Sequence, residues 1–111
     1  MALGEFEQVI LFALLRLEGE AHGAAVALEI ESRAGRHVSP GALYTVLDRL
    51  EAKRLVTSWI GDSTPERGGR RRRVYRLLPE GARALRDWYG GVRAMAAGMT
   101  TRLDELAGQE G

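Results

Sequence analysis

The hydrophobic period of this 111-residue chain changes once on each side of a basic loop, and that change limits the folds open to it. From Leu3 to Leu17, Phe6, Val9, Ile10, Ala13, Leu14 and Leu17 recur at helical spacing, and Leu11, Phe12 and Leu15 make the opposite side apolar as well. Gly19 closes this first helix. A second runs from about His22 to Ala34 and stops at Gly35. Ser39-Pro40 then reads as an N-cap followed by proline at the first helical position, where no amide hydrogen is needed. Near residue 56 the period drops to two. Val56, Ser58 and Ile60 alternate with Thr57, Trp59 and Gly61, and Val74 to Leu78 forms a second β-prone run. Pro65-Glu66-Arg67-Gly68-Gly69 separates the two runs, so they read as a hairpin, with Trp59 expected on its inner face. Helical spacing returns after Pro79 in Leu85, Trp88, Tyr89, Val92, Met95, Met99, Leu103 and Leu106.

The expected architecture is mainly α with one small β-hairpin, an α+β winged helix-turn-helix over residues 1–78. A long C-terminal dimerisation helix over residues 79–107 and a flexible tail over 108–111 complete it. At ~1.5 Å per residue the last helix would extend some 40 Å, too far for its apolar side to be covered within one chain. Gly90-Gly91 marks a kink in it or a close approach to its backbone. The expected dimer interface is Leu11, Leu15, Leu85, Val92, Met99 and Leu103, since a first helix that is apolar nearly all round also needs a second covering surface.

Charge locates the functional face. Six arginines against one glutamate between Glu66 and Arg76 give a local +5, so a chain of net charge +1 carries −4 elsewhere. A basic patch on an acidic body suits a polyanion met at one place. The third helix opens with the small residues Ser39, Pro40, Gly41 and Ala42, which let its N-terminus approach phosphates. Its inward stripe is Leu43, Val46, Leu47 and Leu50, which leaves Gly41, Tyr44, Thr45, Asp48 and Arg49 outward. The expected contacts with double-stranded DNA are Ser39, Gly41, Tyr44, Thr45 and Arg49 from this helix and Arg67, Arg70, Arg71, Arg72 and Arg73 from the hairpin tip. Guanidinium groups favour the narrow minor groove beside the major groove that the helix would enter.

Other classes fit poorly. The chain has no Cys, which excludes a disulfide framework, a thiolate metal site and a cysteine nucleophile, and its two His are apart, so neither an enzyme nor a metal or cofactor site is expected. The longest apolar run, Val9 to Leu15, is too short for a bilayer, and Glu5 and Glu7 stand where a signal peptide carries positive charge, so the expected location is the cytoplasm with no membrane partner. A protein-interaction module that grips an acidic surface with its arginines is the alternative; preference for one duplex over another separates the two.

The strings Leu14-Leu15, His22-Gly23, Ser39-Pro40-Gly41-Ala42-Leu43-Tyr44, Leu47-Asp48-Arg49-Leu50-Glu51 and Gly68-Gly69-Arg70-Arg71-Arg72-Arg73-Val74-Tyr75 together resemble the PadR family of transcriptional regulators, in its short branch with a single C-terminal helix. The resemblance implies a homodimeric repressor, joined through its first and last helices, on a palindromic operator and often released by a small hydrophobic ligand. It also implies a slot between the last helices where Trp88, with Val92 and Met95, would meet a planar apolar effector. Two positions depart from the family pattern. Many members carry Gly where this chain has Arg54, and Pro where it has Thr45.

Overall fold

The computed structural model describes residues 3–61 and 72–109. Its elements in order are α1 (Glu5–Arg16), β1 (Glu20–His22), α2 (Gly23–Ala34), α3 (Pro40–Ala52), β2 (Val56–Ile60), β3 (Arg73–Leu77), α4 (Pro79–Ala96) and α5 (Thr100–Ala107). Local chemistry sets several boundaries. Ser39 Oγ accepts the Ala42 amide at 3.3 Å and Pro40 follows at the first helical position, so α3 begins where its cap dictates. Gly35 ends α2 in the left-handed conformation at φ 63°.

The sheet is antiparallel in the order β1-β3-β2. Strand β1 was not foreseen from the sequence, because three residues are too few to display a period and form a strand only by pairing with distant β3. Ala21 lies opposite Tyr75, and Glu20 opposite Arg76, whose guanidinium donates to the Glu20 carboxylate at 2.9 Å. Register also corrects Trp59. Val56, Ser58, Tyr75 and Leu77 share the face toward the core, so Trp59, opposite Val74, takes the other face and lies under the Arg76 guanidinium, 4.7 Å from its ring centre.

The core gathers Ile10, Leu11 and Leu14 of α1 with Val26, Leu43, Leu47, Leu50, Val56 and Tyr75. Much of the second cover that α1 needs comes from the chain itself, although Leu15 stays exposed. Leu85 of α4 is buried, and Phe12 meets Tyr89 edge to face at 5.4 Å. Leu11, at 0% exposure, and Leu85, at 3%, are therefore core residues and not the interface residues expected above. Gly81 brings α4 into place: a Cβ there would lie 2.2 Å from the Leu55 carbonyl oxygen, so only glycine allows this approach.

Beyond Tyr89 the C-terminal segment leaves the body, and Val92, Met95, Met99, Leu103 and Leu106 are all exposed. The single helix expected over 79–107 is two helices. The break falls at residues 97–99, where Gly98 adopts φ 76°, and not at Gly90-Gly91, which are helical with open space around them. An interior glycine costs a helix only about 1 kcal/mol, which α4 withstands, whereas a left-handed residue stops the hydrogen-bond ladder outright.

Two side chains near the ends of α1 and α3 carry measurable consequences. Arg54 follows α3 with φ 63°, a conformation that crowds any Cβ. Arg54→Gly should raise stability by about 0.5–1 kcal/mol, or roughly 2–5 °C in Tm by calorimetry; a lowered Tm would show that the arginine side chain outweighs the strain. Glu7 is buried and accepts from Lys53 Nζ at 2.7 Å and the Gly4 amide at 2.9 Å. Burial pushes its carboxyl up, but the Lys53 and Gly4 hydrogen bonds and the charges of Lys53 and Arg49 outweigh burial and hold it below the usual range. A carboxyl lowered in the folded state adds stability that is present above its unfolded pKa and is lost as pH falls through the folded one. Glu7→Gln should therefore flatten the loss of stability below pH ~4.3 in acid titrations of unfolding; an unchanged acid limb would contradict this assignment.

Candidate nucleic-acid interface

The stripe Leu43, Val46, Leu47 and Leu50 is inside, so helical geometry turns Ser39, Gly41, Tyr44, Thr45, Asp48 and Arg49 outward, and all six are exposed. A Cβ at Gly41 would meet nothing within 4 Å, which leaves the first turn of α3 open to a large partner. Arg49 shares this face, and its charge also reaches the Glu7 carboxylate.

Tyr44 is less free than its neighbours. Its ring centre is 6.4 Å from that of Tyr75, and its hydroxyl end lies against Gly23 at the start of α2. There it borders a cleft of about 260 Å³, with His22, Gly23, Ala24, Arg72 and Arg73 as the other walls. Tyr44 on the outward face of α3 and the arginines that enter β3 thus line one cleft. Arg67, Arg70 and Arg71 lie outside the described residues.

A hydrogen-bonded brace, not visible in the sequence pattern, fixes this junction. Arg73 donates to Ser58 Oγ at 2.9 Å, and Ser58 donates to the Glu51 carboxylate through its hydroxyl at 2.7 Å and its amide at 3.0 Å. The last turn of α3 is thereby tied to both hairpin strands. Arg73 is exposed but already engaged, whereas the Arg72 carbonyl accepts the Gly61 amide at 2.7 Å and no partner of its side chain is seen among the described residues. Beneath the brace, burial and the charge of Asp48 push the Tyr75 phenol up, so it stays neutral. In sequence, Ser58 showed only its place in the strand alternation, and Glu51, His22 and Gly23 only their place in strings that match the family, with no role at the site.

The expected effector residues do not converge within one chain. Trp88 is half-buried and borders an open cleft of about 520 Å³ with Leu55, Glu80, Arg83, Ala84 and Asp87, while Val92 and Met95 stand exposed farther along α4 and do not line it. Among the described residues no three His, Cys, Asp or Glu side chains are grouped to hold a metal, and no helix is long and apolar enough to cross a membrane.

A relative in Mycobacterium tuberculosis, transcriptional regulator Rv3488, is 46% identical over 70 residues, which cover 63% of this chain and 61% of that protein. The chain therefore spans about three fifths of that relative's length. A PadR family transcription regulator from Clostridium difficile matches with a TM-score of 0.69 at 26% identity, over 86% of this chain and 97% of the other. F93 from STIV, a winged-helix DNA-binding protein, matches with a TM-score of 0.71 over 88% of this chain and 98% of its own; at 16% identity it speaks for the fold alone. The family model of the transcriptional regulator PadR-like family matches residues 11–87, from the middle of α1 to the first turns of α4. That span includes α3, the sheet and the cleft between them, and the chain belongs to the PadR-like family of transcriptional regulators.

Proposed function

We propose that the chain binds double-stranded DNA sequence-specifically as a homodimeric repressor on a palindromic operator. The observation that carries this reading is the shared cleft of Tyr44, Arg72 and Arg73, which puts the open face of α3 beside the base of the arginine-rich wing. In this arrangement α3 enters the major groove with Ser39, Gly41, Tyr44, Thr45 and Arg49, and Arg67, Arg70, Arg71, Arg72 and Arg73 follow the backbone toward the adjoining minor groove. The acidic remainder of the body repels the duplex elsewhere and fixes the side that docks.

Dimerisation supplies the second reading helix. Leu15, Val92, Met99 and Leu103 are exposed apolar residues on α1, on α4 and beyond it, and a two-fold contact among them would cover surface that the chain leaves open. With Leu11 and Leu85 withdrawn into the core, this smaller set carries the contact. A planar apolar effector is proposed beside Trp88, where a second subunit could bring Val92 and Met95 against the open cleft. Such a ligand releases DNA only by favouring a dimer whose reading helices no longer match the half-site spacing, a coupling of typically ~1–3 kcal/mol.

Two outcomes test the reading. Sedimentation at micromolar concentration should give about twice 12.2 kDa, and a monomer there would remove the basis for paired half-sites. With a duplex selected from a random pool and a scrambled control, replacing Arg70, Arg71 and Arg72 by Gln should weaken both complexes and flatten the salt dependence by close to one unit of slope per lost phosphate contact. Thr45→Ala and Arg49→Gln should lose affinity for the selected duplex alone, by about 1–3 kcal/mol each. Equal affinity of the unaltered chain for all duplexes would favour an acidic protein surface as the partner.

A further inference from the structure

Gly23 has no conformational reason to be glycine. It is the first residue of α2, does not lie in the left-handed region and follows an extended N-cap at His22, so any L-residue could adopt its backbone. What a side chain would displace is the end of Tyr44. A Cβ on Gly23 would sit 2.6 Å from the Tyr44 hydroxyl oxygen, 2.7 Å from Cε1 and 2.8 Å from Cζ, all well inside van der Waals contact. The ring is limited elsewhere by Tyr75, whose side chain is 1% exposed and fixed in the core.

We infer that Gly23 is a positioning residue for DNA binding: by lacking a side chain it lets the Tyr44 ring lie on the start of α2, so that the phenol hydroxyl meets a backbone phosphate and not a base edge. This rests on the DNA-binding reading above. A tyrosine that reads bases from α3 would project away from the body, whereas this one is drawn back against α2 to the edge of the cleft that Arg72 and Arg73 line. A hydroxyl donor at the edge of a cleft that two arginines line suits a single anionic oxygen, and phosphate contacts of this kind set the register of a protein on its duplex without carrying sequence information. Gly23 itself touches no DNA in this account. It acts through the ring it seats.

The test is a double-mutant cycle of Gly23→Ala, Tyr44→Ala and the pair, each bound to the selected and the scrambled duplex. Each single change should weaken binding about tenfold on both duplexes, and the pair should be no weaker than Tyr44→Ala alone, since Gly23 has nothing to seat once the ring is gone. Replacing backbone phosphates one at a time by neutral methylphosphonate should reveal one position that weakens the unaltered chain and neither single variant. Three results would overturn the inference: Gly23→Ala binding like the unaltered chain, losses that multiply in the pair, or a Tyr44→Ala loss confined to the selected duplex. Thermal unfolding of the four proteins guards against a folding defect. If Gly23→Ala unfolds, the pair should regain the stability of Tyr44→Ala, because the collision is absent there, and failure to regain it counts against the inference. An unaltered chain that binds neither duplex instead removes the DNA-binding reading, and this inference with it.

Discussion

Tyr75 stands in the middle of β3 with Ala21 of β1 on one side and Ser58 of β2 on the other, and its side chain is almost wholly enclosed. Because β3 is the central strand, its pairing fixes three things together. Through β1 it holds the start of α2, through β2 it holds the end of α3, and at its own N-terminal end it presents Arg73 with Arg72 just before it. The residues proposed to touch a duplex come from segments far apart in sequence, and their common cleft exists only while this pairing holds.

Charge is distributed along the same frame. The arginines nearest the body have partners: Arg76 has Glu20 and covers Trp59, and Arg73 has the Ser58 hydroxyl backed by Glu51. Exposed pairs of this kind contribute little stability, typically below about 1 kcal/mol, but they orient the strand that carries them. The basic character proposed to meet a polyanion therefore starts, among the described residues, at Arg72, which Arg67, Arg70 and Arg71 precede in sequence. The Lys53–Glu7 pair does its work elsewhere, tying α1 to the far end of α3 through a buried carboxylate.

Where a boundary depends on local chemistry, the sequence alone was enough. Ser39-Pro40 marks the start of α3, Gly35 the end of α2, and the alternation after Val56 the strand β2; the outward face of α3 follows from Leu43, Val46, Leu47 and Leu50. Where the outcome depends on distant partners, it was not legible. Strand β1 needs β3 to exist, Leu11 and Leu85 look like surplus apolar surface until α4 is seen against α1, and the phase of the hairpin that turns Trp59 outward is set by Tyr75. The break at Gly98 and the continuity at Gly90-Gly91 illustrate a third limit: glycine permits a break without dictating one. In the candidate site, Tyr44 and the arginines were legible by type and spacing, but the Glu51–Ser58–Arg73 brace and the seat at Gly23 are products of packing.

The central claim is that α3 and the base of the wing act as one DNA-facing surface. Amide hydrogen exchange of the free protein and of its complex with a selected duplex tests this most directly, because it reports each segment separately. The account predicts that protection rises together at residues 39–45, 22–24 and 72–74. Protection of α3 with no change at residues 22–24 and 72–74, or the reverse, would contradict it.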